Sequence, residues 1–274
     1  MSLPQPLLVV VVLLIGLKFA LKYRLKSQGK NSGLRIGNAQ HRGERKRQED
    51  SFSTIRDDDR SLAVVADGMG GFKSGKEASE LVTKNFMEQF CRSYDISSIN
   101  QFLMNTVYAS NEKLLKRSGR EKSGTTLVAA VINNNLLHWV TVGDSHLYLY
   151  RNKDLIQLNT DHIFANKLKE SYRAGEISRY KMLNHPQRER LISYVGQEEI
   201  TEIDYSVDPL ELRRKDKLIL CTDGVYDSLS EVELGQLLAQ SKGIQKIAEE
   251  IIRKVISKGM PRQDNATVVV LEKN

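Results

Sequence analysis

The 274-residue sequence predicts an α+β fold built from antiparallel sheets. Three features carry that prediction. Strand-like and helix-like runs come in groups and do not alternate strictly, as a doubly wound parallel sheet would require. The strand-like runs are short, β-branched and bounded by turn residues. The triplet Asn133-Asn134-Asn135 separates two such runs, TLVAAVI (126–132) and LLHWVTV (136–142), as the turn of a hairpin does. A hydrophobic share of 40% and a charged share of 27% suit a globular chain. The length is ample for a buried core, in one large domain or two small ones.

The chain opens on LPQPLLVVVVLLIGLKFAL, residues 3–21. Its uncharged part, Leu3 to Leu17, is short for a spanning helix. Extended to Leu21 with Lys18 snorkelling, it approaches the roughly 20 residues a bilayer core needs. A secretory signal would place positive charge before the apolar run and small residues at a cleavage site. Here the charge follows. Residues 18–47 hold ten Lys or Arg and one acid, Glu44, so they carry +9 and leave −2 on the rest of a chain whose net charge is +7. The positive-inside rule and attraction to anionic head groups then predict a transmembrane anchor over residues 1–22 and a basic linker over 23–34. The expected location is the cell (inner or plasma) membrane, single-pass, with the domain from Arg35 to the C-terminus in the cytoplasm. A nucleic-acid binder would more often spread a basic face over its folded body, so nucleic acid is not an expected partner.

Within the domain, strands are predicted at 51–56, 61–66, 126–132, 136–142, 146–151, 217–222 and 266–272. Helices are predicted at 75–91, 98–117, about 230–240 and 243–258. Residues 163–203 are charged and mixed, and read as short helices and loops inserted between strands. Cys91 and Cys221 sit in apolar or helical contexts, which speaks against a disulfide framework and for a reducing compartment.

The stretch ADGMGGFKSGKEAS (66–79) admits two readings. Residues 70–76 fit the start of G-x-x-x-x-G-K-[ST], but position 77 is Glu where a phosphate-cradling loop needs Ser or Thr. The other reading is a carboxylate, Asp67, placed at a strand end. Asp144 and Asp223 also follow apolar runs, Asp264 precedes one, and Glu49-Asp50 stands at the mouth of SFSTI. Each alone reads as an ordinary turn residue. Together they form a set of hard oxygen donors suited to Mg²⁺ or Mn²⁺. The five histidines and two distant cysteines show no zinc-ligand spacing. Ser123 lacks the G-x-S-x-G context of a nucleophile, and Thr125 and Thr126 read as supports of the site edge.

These residues resemble a known family. R-x-x-x-E-D (Arg45 to Asp50), DGMGG (67–71), SGTT (123–126), VGDSHLY (142–148), TDH (160–162), HPQRERL (185–191), CTDGVYD (221–227) and DNATV (264–268) occur in the order seen in metal-dependent type 2C protein Ser/Thr phosphatases, with features of the bacterial branch. The resemblance covers about residues 35–272. It implies a four-layer α-β-β-α sandwich of two antiparallel sheets flanked by helices, with a flap at about 163–203. It implies two Mn²⁺ or Mg²⁺ ions, with Asp67 bridging both. Glu49 and the Gly68 carbonyl would serve one ion, and Asp223 and Asp264 the other. Asp144 would serve a third, weaker site that shares Asp223. Asp50 would hold the attacking water, which bridges the two ions, and Arg45 would grip the substrate phosphate. Expected partners are phosphorylated protein substrates, a cognate Ser/Thr kinase and, through the anchor, the membrane.

Met69 departs from many eukaryotic relatives, which carry a His there that is thought to protonate the leaving group. Methionine has no proton to give, which leaves His41 and His162 as candidates that read more naturally as structural. The alternative function is a catalytically weak, phosphoprotein-binding regulator on the same fold. The intact Arg45, Glu49, Asp67, Asp223 and Asp264 argue against it.

Overall fold

The computed structural model describes residues 33–57, 60–70, 74–93, 98–118 and 123–274. The predicted hairpin forms the centre of one sheet. Strands β6 (Leu127–Asn133) and β7 (Leu136–Val142) pair antiparallel, and Asn134 and Asn135 close the turn with φ of 48° and 71°. That left-handed pair matches the twist of a hairpin and is tolerated well by Asn. Strand β3 (Arg60–Ala66) lies beside β6, and β2 (Ser51–Arg56) lies beside β3. Two short strands, β10 (Asp204–Tyr205) and β11 (Leu210–Glu211), pair with β7 on its other side.

The second sheet runs in the order β1 (Leu34–His41), β13 (Ala266–Lys273), β12 (Lys217–Cys221), β8 (His146–Arg151) and β9 (Asp154–Gln157), all antiparallel. A small ribbon pairs β4 (Gly68–Gly70) with β5 (Ser123–Thr125). The sequence reading missed β1. Its run LRIGNAQH is broken by glycine and polar residues, yet Gly37 is required there. A Cβ on Gly37 would come within 2.6 Å of the Ile244 carbonyl oxygen of the helix lying across the strand.

Side-chain alternation builds the layers. Ala63, Val65, Val128 and Ala130 of one sheet face Leu147, Leu218, Leu220, Val269 and Leu271 of the other. Leu62, Val64, Leu127, Ala129 and Val131 turn outward, onto helices α1 (Ser74–Arg92) and α2 (Ile99–Ser118). Helix α1 meets them with Ala78, Val82, Phe86 and Phe90, spaced by four, as one helical face requires. The outer face of the second sheet, with Ile219, Val268 and Val270, is covered by α6 (Glu231–Leu238) and α7 (Ile244–Ser257). Helix α7 buries Ile244, Ile247, Ala248, Ile251, Ile252 and Val255, and α6 begins on a capping box between Ser230 and Glu233. The outcome is the four-layer α-β-β-α sandwich expected. The insertion between β9 and β10 carries short helices α3 (Phe164–Arg173) and α4 (Arg179–Leu183), and α5 (Asp223–Tyr226) follows β12.

One expectation is corrected. Among the described residues no helix is long and apolar enough to cross a membrane. The anchor expected over residues 1–22, and with it the single-pass location at the cell membrane, has no support in the structure. That segment lies outside the described residues.

Candidate active site

Strand pairing brings the predicted carboxylates to one end of the sandwich. In the first sheet Ser51 opposes Ala66, so Glu49-Asp50 entering β2 and Asp67 leaving β3 are neighbours. In the second, Cys221 opposes Val268, so Asp223 and Asp264 flank the adjoining ends of β12 and β13. Asp50 joins the two sheets. Its Oδ2 accepts hydrogen bonds from the hydroxyls of Thr222 at 2.9 Å and Thr267 at 2.7 Å. Its other oxygen, Oδ1, is buried with no partner, and so is Oδ1 of Asp223.

The backbone around Asp67 is held by the SGTT segment. Thr125 donates its hydroxyl to the Asp67 carbonyl oxygen at 2.7 Å, and the Asp67 amide donates to the Thr126 hydroxyl at 3.0 Å. Next to it, Gly68 crosses the first turn of α1. A Cβ on Gly68 would lie 2.1 Å from the Gly75 carbonyl oxygen and 2.6 Å from that of Glu49. No side chain fits, so glycine is required by contact and not by backbone angle.

The loop carrying Arg45 is fixed by Asn265. The Asn265 side chain donates to the carbonyl oxygens of Arg42 at 2.7 Å and Arg47 at 2.9 Å, and accepts from the Glu49 amide at 2.7 Å. Arg45 in turn donates to the Asp264 carboxylate. A cavity of about 300 Å³ opens here, lined by Arg45, Lys46, Arg47, Glu49 and Gly70.

Burial and mutual repulsion push the carboxyls up. Desolvation, opposed by the two threonine hydroxyls and reinforced by Asp223 and Asp264, raises Asp50 to about 7. Asp144 rises to about 7 through burial and then the charge of Asp223. Asp223 rises to about 6 through burial and then Asp264. Asp67 stands well above the carboxylate range, through desolvation and then Asp50, Asp223, Asp144 and Asp264. Burial also raises Glu49, against Arg45 and Arg47. Carboxyls so crowded ionise together only if a cation compensates them.

The donor set therefore fits divalent cations. It offers only oxygen ligands, two of them buried and unpartnered, together with the carbonyl of a glycine where no side chain fits. Among the described residues no group of three or more His, Cys, Asp or Glu forms a ready-made metal cluster. These carboxylates bond instead to threonines and to Arg45: Asp50 to Thr222 and Thr267, and Asp264 to Arg45.

Sequence reasoning missed several supports. Thr222 and Thr267 stand beside the chosen aspartates in CTDG and DNAT, and their position next to paired strand ends was the available signal. Tyr226, stacked on His146 with ring centroids 3.7 Å apart, donates to the Asp144 carbonyl oxygen at 3.0 Å. Both candidate histidines are engaged structurally. Nδ1 of His162 accepts from the Gly143 amide at 3.0 Å, and Nδ1 of His41 accepts from the Gly43 amide at 2.9 Å. Met69 lies on β4 opposite Gly124. Lys73 and residues 71–72 lie outside the described residues.

The protein phosphatase 2C family model matches residues 38–250. The chain belongs to the protein phosphatase 2C family. This phosphatase is 32% identical over 224 residues to the serine/threonine phosphatase stp of Listeria monocytogenes serotype 4b, covering 79% of this chain and 86% of that one. The serine/threonine phosphatase of S. agalactiae shares its fold with a TM-score of 0.78, at 24% identity over 88% of this chain and all of the other. The catalytic domain of the serine/threonine phosphatase PstP, solved with two manganese ions, matches with a TM-score of 0.70 and 28% identity over 87% and 97% of the chains. The fold and the family are those the sequence motifs implied.

Proposed function

We propose that the phosphatase is metal-dependent and hydrolyses phosphoserine and phosphothreonine in proteins, reversing a cognate Ser/Thr kinase. The catalytic domain spans residues 35–274. The observation that carries this reading is the pair of buried, unpartnered oxygens on Asp50 and Asp223, within carboxyls that repel one another. Two manganese ions in a relative of the same fold support Mn²⁺ or Mg²⁺ as the compensating charge.

Asp67 would bridge two ions, with Glu49 and the Gly68 carbonyl on one side and Asp223 and Asp264 on the other. Asp144, sharing Asp223, would serve a weaker third. When bound, the ions supply Lewis acidity that activates water and neutralises phosphate charge. Asp50, fixed by Thr222 and Thr267, orients the attacking water through its unpartnered oxygen. Arg45 grips two phosphate oxygens with its planar fork. Met69 has no proton to give, so the leaving alkoxide takes its proton from water or from a group other than residue 69.

The test is Mn²⁺-dependent hydrolysis of a phosphothreonine peptide by the full chain, compared with Asp67→Asn. Activity that needs Mn²⁺ and vanishes in Asp67→Asn is expected. Undiminished turnover in that variant would overturn the site. Peptide binding without turnover would favour a phosphoprotein-binding regulator.

A further inference from the structure

The cavity beside Glu49 holds more positive charge than one phosphate needs. Arg45, Lys46 and Arg47 follow one another around it, with Glu49 the one acid among the described residues that line it. All three cations are exposed, on a chain whose residues from 48 onward sum to −2.

The backbone presenting them is fixed. Gly43 has φ +64°, and a Cβ there would meet the Asp264 carbonyl oxygen at 2.2 Å. The Glu44 amide donates to the Gln263 carbonyl at 2.8 Å, and its carboxylate accepts from the Arg262 amide at 3.0 Å. Asn265 holds Arg42 and Arg47 by their carbonyls. A rigid loop presents its charges at little ordering cost to a ligand. Cations gathered around one concavity reinforce one another's potential.

Granting the phosphatase reading of the site, we infer that Lys46 and Arg47 form a second anion subsite beside the scissile phosphate. Arg45 takes the phosphate to be cleaved. Lys46 and Arg47 take a neighbouring anionic side chain of the substrate, either an acidic residue or a second phosphorylated residue. The substrate class is therefore acidic or multiply phosphorylated protein segments. The subsite acts on substrate capture, so its effect falls on KM and not on kcat. It weakens as salt screens the charges.

The experiment uses the full chain with Mn²⁺ and four phosphothreonine peptides. Their flanking positions are neutral, aspartate, a second phosphothreonine, or lysine. The readout is each peptide's kcat/KM relative to the neutral peptide in the same variant. At low salt the wild type should favour the aspartate and doubly phosphorylated peptides by about five- to ten-fold and disfavour the lysine peptide. Lys46→Ala/Arg47→Ala should bring the ratios near one, and Lys46→Glu/Arg47→Glu should invert them. Whichever anionic peptide gains more identifies the natural source of the second anion. Ratios near one in the wild type, or ratios unchanged in the variants, overturn the subsite while Mn²⁺-dependent turnover upholds the phosphatase reading. Absence of turnover on every peptide and on p-nitrophenyl phosphate overturns that reading, and the subsite with it.

Discussion

Arg45 donates a hydrogen bond to the carboxylate of Asp264, 219 residues away in sequence. In the proposed mechanism Asp264 serves a cation and Arg45 a phosphate. The ion pair competes with both. Arg45→Ala should therefore tighten Mn²⁺ binding by up to about five-fold, the size of a partly exposed pair. The same variant should lose about ten- to a hundred-fold in phosphopeptide kcat/KM. Titration calorimetry and steady-state kinetics on one preparation check both. Weaker Mn²⁺ binding in Arg45→Ala would mean that the arginine supports the metal site.

Thr222 and Thr267 hold one oxygen of Asp50 so that the other stays available. Replacing both with valine keeps volume but removes the two donors. The cost should be about 1–3 kcal/mol for each hydroxyl, because the acceptor is buried. Without them Asp50 rises further, so the acid limb of the pH–rate profile should move to higher pH. Denaturant melts and a pH series on the double variant test this. An unmoved acid limb would remove Asp50 from the reaction.

The crowded carboxyls also set a pH dependence. Asp50, Asp144 and Asp223 rise to about 7, 7 and 6 on folding, from an ordinary value of 3.8. The metal-free folded state thus binds protons that the unfolded chain has released. These groups favour folding below their unfolded pKa, and that contribution is lost as pH rises from about 4 to 7. Cations reverse the trend, because protons compete for the same oxygens. The gain in melting temperature on adding Mn²⁺ should therefore grow from pH 5.5 to pH 8. Glu233, held at about 2 by Lys258 and the Ser230 amide, acts in a separate, more acidic window. A gain that shrinks with rising pH would be incompatible with cations bound among these residues.

Glycines offer a contrast. Gly68→Ala forces a carbon to 2.1 Å from the Gly75 carbonyl, and the obstacle is backbone. It should cost about 3 kcal/mol or more and weaken Mn²⁺ binding. Gly235 lies inside α6 with nothing within 4 Å of an added Cβ. Gly235→Ala should stabilise by up to about 1 kcal/mol through helix propensity. Thermal melts of the two variants check the opposite signs.

Most of the sandwich was legible because its central strands are apolar on both faces. SLAVVA, TLVAAVI and ATVVVLE sit between layers, and such runs read as strands wherever they occur. Strand β1 was hidden because it lies at a sheet edge and narrows to Gly37 under α7. The two-residue strands β10 and β11 are held by pairing with β7, which no local pattern announces. The aspartates were legible as charge beside apolar runs. Their supports were not, because Thr222, Thr267 and Asn265 act through partners up to 223 residues distant. The N-terminal apolar stretch was the most conspicuous signal in the sequence, and the membrane reading built on it found no support among the described helices.

The insertion between β9 and β10 meets the site at β5. Val195 exchanges both of its backbone hydrogen bonds with Thr125, at 2.9 Å each, and the Thr125 hydroxyl holds the Asp67 carbonyl. A pull on this insertion therefore reaches Asp67 through Thr125, and Tyr194 and Gly196 lie against Gly124 and Ser123 of the same strand. In the proposed mechanism a protein that seizes this insertion while it docks has a lever on the cation cradle, and traction there would register as altered metal grip before any phosphate arrives.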